Sequence, residues 1–206
     1  MIKTKNKLFV FFIGLLIIFI SGIYIYKHAI FERSSIKEVL ETFIKDDYNY
    51  NGGKNDFSTV GDENLKKYLL ARNAVKATNH KRNHKKVLSQ NFNFDYKSFV
   101  RYRDCVKVNV YMYETYSFKD ENTGQLNEAE AGNNYTVYLS KINGVWKVMS
   151  ATIDLDSDAD AVDEEFDVNK ELGYEGNKNQ KNIDINLNKM LKRLNDLKEK
   201  YSKPLK

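Results

Sequence analysis

Residues 135–154 read YTVYLSKINGVWKVMSATID, and the prediction of the fold starts from them. Asn143-Gly144 separates two runs in which apolar and polar residues alternate, which is the strongest short-range signal of a β-hairpin. The apolar positions are Tyr135, Val137, Leu139, Trp146 and Val148. We therefore predict two antiparallel strands joined at Asn143-Gly144, the second of them over residues 145–155.

The same period of two occurs upstream of this hairpin. Phe92, Phe94 and Tyr96 alternate with polar residues. A second run places Val106, Val108, Val110 and Met112 on one face. Residues 120–134 are polar and contain two glycines, so the sequence predicts a long hairpin loop there. The sheet is thus predicted to contain about four antiparallel strands joined in sequence.

Two helical patterns precede the strands. Ser34 or Ser35 is predicted to cap a helix, with Glu38 completing a capping box after Ser35, and this helix ends near Tyr48. Residues 49–59 are rich in Asn, Gly, Asp and Ser and indicate a loop. A second helix starts at Asp62 or Asn64. It carries Leu65, Tyr68, Leu69, Arg72, Val75 and Lys76. Helices before a meander predict an α+β domain over residues 34–155. We expect a cone-shaped domain, with two or more helices packed on a curved antiparallel sheet.

A charge-free run, residues 8–26, lies near the N-terminus. A helix of this length spans about 28 Å, close to the hydrocarbon thickness of a bilayer. Lys3, Lys5 and Lys7 precede the run in a basic segment, residues 1–7, that we expect to stay cytoplasmic. The pattern predicts a single-pass cell-membrane protein with its C-terminal domain extracytoplasmic. The alternative is a signal sequence, although the run is longer than a usual signal core and lacks an A-x-A-like site.

Composition narrows the class of protein further. One cysteine, Cys105, excludes an internal disulfide, so stability must come from packing among 14 Tyr, 12 Phe and the aliphatic residues. Abundant Lys, Asn, Ile and Tyr with one Pro is typical of a Gram-positive bacterium with an AT-rich genome. No G-x-S-x-G, phosphate loop, paired-cysteine zinc site or H-E-x-x-H occurs in the sequence. The sequence therefore predicts a protein that is not an enzyme and has no cofactor.

Residues 156–182 form a predicted acidic, flexible linker, and the acidic run at its start is a candidate calcium site. Asp154, Asp156 and Asp158 occupy positions 1, 3 and 5 of a calcium-loop template, and Glu165 occupies position 12. Position 6 of the template requires Gly and is Ala159 here. The alternatives are a solvated acidic linker, or a segment that pairs with the basic second helix.

Basic residues cluster around the end of the second helix. The candidate positions for an anionic partner are Lys76, Lys81, Arg82, Lys85 and Lys86. Such a cluster suits lipid head groups or anionic surface polymers, and nucleic acid only if the protein belongs to a conjugation machine. His80 and His84 lie four residues apart, but the neighbouring cations oppose a bound metal. The alternative is an ordinary solvated helix face.

A C-terminal amphipathic helix is predicted over residues 183–203. Its apolar positions recur at spacings of three and four, as in a coiled-coil seam. They are Leu187, Met190, Leu194, Leu197 and Tyr201. So short a helix is not stable alone in water. It docks on the domain, pairs with another copy of the chain, or forms with a protein partner, and we mark this seam as a candidate for self-association.

Two helices followed by long strands, with Tyr135 to Leu139 and Asn143 to Val148 as the final hairpin, resemble the nuclear-transport-factor-two-like (SnoaL-like) superfamily. The resemblance covers about residues 34–154. This part of the chain is similar to the exported domain that precedes amidase domains in Gram-positive bacteria. It is also similar to exported domains of conjugation-channel subunits. About fifty residues remain after it, so the amidase activity is not carried over.

Three functions follow from these observations. The first is a membrane-anchored extracytoplasmic domain that acts by binding or assembly, without catalysis. The second is a subunit of a conjugation or type IV secretion channel. The third is a small-ligand carrier or SnoaL-like enzyme that uses the interior of the cone, although no His lies within the predicted strands.

Overall fold

The computed structural model describes residues 2–48, 55–82, 85–155 and 180–203. Its elements are α1 (Ile2–Tyr48), α2 (Glu63–Arg82), β1 (Lys85–Arg101), β2 (Val106–Asp120), β3 (Leu126–Ile142), β4 (Val145–Leu155) and α3 (Gln180–Tyr201). The predicted α+β class, with an apolar N-terminal helix, four antiparallel strands and a C-terminal helix, is confirmed. The chain forms two compact units, Met1–Glu38 and Val39–Lys206.

Helix α1 runs without a break for 47 residues, so the predicted helix start at Ser34 or Ser35 is wrong. Ser35 Oγ instead donates to the carbonyl of Phe31 at 3.1 Å, one turn back, as serine does inside a helix. No Gly or Pro occurs between Ile23 and Tyr48 to interrupt the helix. The helix is described as far as Tyr48, near which the sequence predicted its end, and residues 49–54 lie outside the described residues.

The four strands lie in sequence order, β1-β2-β3-β4, and all neighbours are antiparallel. The hairpin between β3 and β4 turns at Asn143 and Gly144, whose φ angles are 51° and 81°. Two consecutive positive φ values are what a type I′ turn requires, and Asn-Gly accepts them at low cost. The predicted hairpin is therefore confirmed.

Strand β3 begins at Leu126, so the long loop predicted over residues 120–134 is wrong. Leu126 pairs with Lys119 and Gly132 with Tyr113, because backbone ladders form without an apolar pattern when the partner strand is already extended. Only residues 121–125 form the turn, where Asp120 Oδ1 accepts hydrogen bonds from the N–H groups of Asn122 and Thr123. A Cβ atom at Gly132 would collide with the Tyr111 ring, so glycine suits this strand position.

The core of the second unit lies on one face of the sheet, as the alternating pattern predicted. Val108, Val110, Val137 and Val148 are buried on the strands. Their buried counterparts on the helices are Leu40, Phe43, Ile44, Leu65, Leu69 and Val75. Each such side chain contributes about 1.5–3 kcal/mol on burial. The cone shape and the curvature of the sheet remain predictions.

Helix α2 begins where the sequence predicted. Asp62 Oδ1 accepts a hydrogen bond from the N–H of Leu65 at 2.8 Å, which is the geometry of an N-cap. Just before it, the chain runs along the outer edge of β4. The N–H of Val148 donates to the carbonyl of Thr59 at 2.9 Å, and the N–H of Gly61 donates to the carbonyl of Val148 at 2.8 Å.

Helix α3 packs on α2 within the same chain. Leu187, Met190 and Leu194 are buried, and the Arg82 guanidinium lies 5.2 Å from the centroid of the Tyr201 ring. The helix begins at Gln180, three residues earlier than predicted. Residues 156–179 of the predicted linker lie outside the described residues.

Candidate functional site: a buried polar cluster

Seven polar side chains meet in the interior of the second unit, and we call them the polar cluster. They are Asp47, Tyr48, Arg72, Lys76, Gln90, Glu114 and Tyr135. Six of them are buried, with relative exposures of 5 % or less, and Gln90 is half-buried. The cluster connects α1, α2, β1, β2 and β3. Buried charge is costly without partners, so the contacts of each group decide what the cluster can do.

Asp47, near the end of α1, is the centre of one half of the cluster. Its Oδ1 accepts from an Arg72 guanidinium nitrogen, which also forms an ion pair with it. Its Oδ2 accepts from the Tyr135 hydroxyl at 3.1 Å. Both carboxylate oxygens therefore have a donor, from a second helix and from a strand. The Tyr135 ring also packs edge-on against Phe43, with 6.5 Å between the ring centroids.

The end of α1 is held by a neighbouring amide. Asn73, on α2, directs its side-chain N–H groups at the carbonyls of Asp46 and Asp47, at 3.3 and 3.4 Å. The last carbonyls of a helix have no partner inside the helix. Asn73 supplies one from α2, so the position of Asp47 is fixed through its backbone as well as its side chain.

Glu114, on β2, is the centre of the other half. Its Oε1 accepts from the Gln90 amide at 2.7 Å. Burial raises the pKa of Glu114 above its ordinary value, while the Gln90 hydrogen bond and the Lys76 charge partly lower it. The Lys76 ammonium also lies 5.8 Å from the centroid of the Tyr48 ring, a cation–π distance. Tyr48 thus lies between the two halves.

The arrangement suits a structural role, in which the polar cluster holds the helices and strands of this unit together. Asp47 and Glu114 carry negative charge when ionised, and Arg72 and Lys76 carry positive charge, so the formal charges balance. The donors and acceptors named above point at one another. Among residues 2–48, 55–82, 85–155 and 180–203, no group of three or more His, Cys, Asp or Glu side chains is placed to hold a metal ion.

The predicted calcium ligands are not brought together in the described part of the chain. Asp154 lies in β4. Asp156, Asp158 and Glu165 lie outside the described residues. Calcium binding at this run therefore stays a prediction.

The predicted basic surface is only partly exposed. Lys81 and Lys86 are exposed, and Lys85 begins β1. Lys76 is buried in the polar cluster at 4 % exposure, so its assignment to an anion-binding surface is wrong. The reason is its spacing, because Lys76 follows Arg72 by one turn on the face of α2 that meets the core. Arg82 is half-buried against Tyr201.

The predicted self-association seam of α3 packs against α2 of the same chain in this structure. Leu187, Met190 and Leu194 are buried within their own chain, whereas Leu197 and Tyr201 are half-buried. Of the three alternatives for this helix, the structure shows docking on the domain. Self-association through the seam stays a prediction, and it requires the helix to leave α2.

The polar cluster was missed at the sequence level, although one signal pointed to it. Arg72 and Lys76 fall at apolar positions of the α2 pattern, in line with Leu65, Leu69 and Val75. A cation at such a position indicates a buried charge that needs a partner. The partner could not be found by spacing, because Asp47 and Arg72 are 25 residues apart and Asp47 and Tyr135 are 88 residues apart.

The comparisons with known proteins include a weak structural likeness. No protein-family model matches the chain, and no curated protein matches it. The crystal structure of the intermembrane space region of the chloroplast protein ARC6 aligns with a TM-score of 0.43 and 10 % sequence identity. The alignment covers 60 % of this chain and 96 % of that one. The resemblance to the SnoaL-like superfamily stays a prediction.

Proposed function

We propose that this chain is a single-pass membrane protein whose second unit acts outside the cytoplasm, by binding or assembly and without catalysis. The observation that carries the proposal is the surface of α1. Its residues 15–20 and several beyond them expose large apolar side chains, with Ile18 at 70 % and Phe19 at 67 %. This helix is the one in the described chain that is long and apolar enough to cross a membrane by length and composition.

The pattern of exposure favours lipid over a protein groove. The exposed side chains include six consecutive residues, Leu15 to Ile20, which surround the helix on all sides. A helix that is apolar all round requires an apolar environment all round. Covering a large apolar side chain is worth about 1.5–3 kcal/mol, so leaving this set in water is strongly unfavourable. A bilayer covers every face at once.

Sidedness rests on the charges before the apolar run. Lys3, Lys5 and Lys7 precede it, and no Asp or Glu does. Under the positive-inside rule this end stays in the cytoplasm and the second unit emerges on the other side.

The polar cluster supports binding or assembly over catalysis. A general base needs access to a substrate proton. Asp47 instead has both oxygens occupied by Arg72 and Tyr135, and Glu114 is 3 % exposed. These groups connect secondary-structure elements, so the function is expected on the surface of the unit.

Membrane anchoring is tested by extraction of isolated membranes at alkaline pH. We expect the wild-type chain to stay in the pellet and to dissolve only in detergent. Replacing Ile18 and Phe19 together by Lys should release it, because a Lys at the centre of a span costs about 2.5–3.5 kcal/mol. The matched control is Leu126→Lys, which also changes an exposed apolar residue, at 61 % exposure on β3. Release of the wild-type chain at alkaline pH would refute the anchor.

Sidedness is tested with a cysteine reporter. In a Cys105→Ser background, Lys119→Cys places a thiol on an exposed position of β2. A membrane-impermeant maleimide should label it in intact cells from which the wall has been removed. Lys5→Cys in the same background should react only after lysis. The reverse result would place the second unit in the cytoplasm.

A further inference from the structure

The two edges of the sheet differ. At Val148 the outer edge of β4 is covered by residues 59–61, through the two backbone hydrogen bonds to Thr59 and Gly61. The side chain of Lys147 adds a hydrogen bond to the carbonyl of Ser58 at 2.6 Å. Strand β1 has β2 on one side, and over residues 89–95 no described strand or backbone group pairs with its other side. Such an edge is a template for another strand.

The open edge has a defined length. The register between β1 and β2 is unbroken from Ser89 to Tyr96, and it shifts at Leu88 and at Lys97. Between these two irregularities every second residue directs its N–H and C=O away from β2. The side chains on the outer face of this segment, Asn91, Asn93 and Asp95, are small, polar and exposed. They leave room for a neighbouring backbone.

The other face of the same segment carries an aromatic row. Phe92 and Phe94 stack with 6.5 Å between their ring centroids, and both stay half-exposed. Tyr48 packs edge-on against Phe92 at 6.1 Å, and the Lys45 ammonium lies 5.6 Å from the centroid of the Phe94 ring. The row is therefore covered by α1 only in part.

We propose that this edge pairs, antiparallel and about a two-fold axis at Asn93, with the same segment of a second copy of the chain. In this register Asn93 faces Asn93 of the second copy, and Phe92 faces Phe94 of the second copy. The opposite arrangement, Phe94 with Phe92, occurs on the other side of the axis. The two four-stranded sheets would form one sheet of eight strands with the helices of both copies on the same face.

Charge and the irregularities of β1 disfavour the registers centred further along the strand. Side chains that face each other in a sheet lie on one side of it, so only registers that match inner with inner residues keep the two cores on one face. Centring on Asn93 keeps the paired segment, 91–95, between the irregularities of β1 and sets Asp95 against Asn91. Centring on Asp95 or on Lys97 would set like charges directly opposite each other, which is destabilising.

A second copy fits this edge better than an unrelated strand for two reasons. The segment is self-complementary, because its aromatic residues meet aromatic residues and its charges meet neutral residues. The second reason rests on the proposed function: anchored copies share one membrane plane, which raises their effective concentration. Pairing with a different extended peptide is the competing outcome and is distinguished below.

Oxidative cross-linking of the full chain, reconstituted in liposomes, tests the pairing. In a Cys105→Ser background, Asn93→Cys places two thiols face to face across the proposed axis. The Cα atoms of directly opposed residues lie about 4.5–5.5 Å apart, which is within the range of a disulfide. We expect a covalent dimer on mild oxidation. Glu128→Cys, exposed on the same sheet face but on β3, is the matched control and should stay monomeric.

Register is tested by mixing variants. Asn91→Cys and Asp95→Cys, each alone, should cross-link poorly, whereas a mixture should form the mixed dimer, because residues 91 and 95 face each other. Charge gives a second test that does not depend on thiols. Asn93→Lys and Asn93→Asp should each weaken dimerisation about two- to fivefold, and an equimolar mixture should restore it.

Several results would overturn the proposal. One is a yield of covalent dimer from Asn93→Cys that is no higher than the yield from Glu128→Cys. Another is unchanged dimerisation of Asn93→Lys. A cross-link from the Asn93→Cys variant to another protein, with no self-dimer, would assign the edge to a foreign peptide instead. These outcomes are separate from the alkaline extraction of the anchor, so failure of one proposal leaves the other standing.

Discussion

The interior and the outer face of the sheet both carry polar networks across strands, but they act under different conditions. Inside, the polar cluster joins buried charges on two helices and β2 to uncharged partners on β1 and β3. Outside, Asn109 donates to Ser98 Oγ at 2.8 Å and accepts from Thr136 Oγ1 at 2.8 Å, which we call the outer ladder. The outer ladder contains no charge and is half-exposed.

The two networks show that the contribution of a hydrogen bond to stability depends on whether water can replace the lost partner. A group of the outer ladder that loses its partner is solvated by water. A group of the polar cluster that loses its partner keeps the full desolvation penalty. Deletions inside should therefore cost several times more than matched deletions outside, although both remove few atoms.

The largest effect is expected from Arg72→Met. Removing one member of a buried ion pair leaves Asp47 charged and unpaired, at a cost of about 3–5 kcal/mol in the free energy of unfolding. Lys97→Met, which breaks the exposed pair with Asp95, should cost about 0–1 kcal/mol. Denaturant unfolding of the full chain in detergent measures both. Replacing Asp47 by Leu together with Arg72→Met should recover most of the loss, and equal costs for the single variants would contradict the comparison.

The next effect is expected from Tyr135→Phe. It removes the hydroxyl that donates to Asp47 Oδ2 and leaves the ring in place, so we expect a loss of about 1–3 kcal/mol. The matched outer variant is Tyr138→Phe, on the opposite face of the same strand, whose ring lies 5.7 Å from the Lys107 ammonium. It should change the free energy of unfolding by less than about 0.5 kcal/mol. A larger effect at Tyr138 than at Tyr135 would reverse the assignment of the two faces.

A smaller effect is expected in the outer ladder itself. Asn109→Ala removes both hydrogen bonds of the central residue and lets water reach Ser98 and Thr136. The expected loss is about 0.5–1.5 kcal/mol, because each neighbour exchanges a protein bond for a bond to water. Thermal unfolding followed by circular dichroism measures it. Ser117→Ala, which breaks only the exposed Ser89–Ser117 hydrogen bond, is the control and should cost less.

The smallest expected effect is a change of the unfolding free energy with pH, caused by the buried carboxyl of Glu114. Burial raises the pKa of Glu114 above its ordinary value of 4.5, so the folded chain binds this proton more readily than the unfolded chain. The resulting stabilisation is present below the ordinary pKa and is lost as the pH rises through the folded pKa. Glu114→Gln should remove this decline. We would measure the unfolding free energies of wild type and variant from about pH 4 to about pH 8. As the pH rises, the wild type should lose stability relative to the variant.

The control for this titration is Glu128→Gln, on the exposed face of β3. The pH-dependent change for Glu114→Gln should exceed the change for this control. A flat difference for Glu114→Gln would mean that burial does not govern this carboxyl.

Local chemistry explains what the sequence predicted well. The turn at Asn143-Gly144, the cap at Asp62 and the buried face of β2 each depend on residues that are neighbours in the chain. These signals act over four residues or fewer, or repeat with a fixed period. Each was therefore readable without knowing what lies across the core.

The features that the sequence did not predict have a common physical cause, because each depends on a partner that is distant in the chain. Residues 126–132 become a strand because β2 offers a ladder beside them, and their own pattern is polar. Lys76 is buried because the interior supplies the Tyr48 ring and the Glu114 charge. The polar cluster joins residues from five elements. Composition and spacing could therefore indicate its members but not that they are in contact.

The cover on β4 has a consequence for the size of any assembly. Residues 59–61 occupy that edge at Val148, and an added Cβ at Gly61 would lie 2.6 Å from Ile142 Cδ1, so this approach is tight. A strand arriving there would have to displace the cover. Under the proposed pairing, each chain adds a strand at β1 and is blocked beside Val148, so we expect a dimer rather than a fibre.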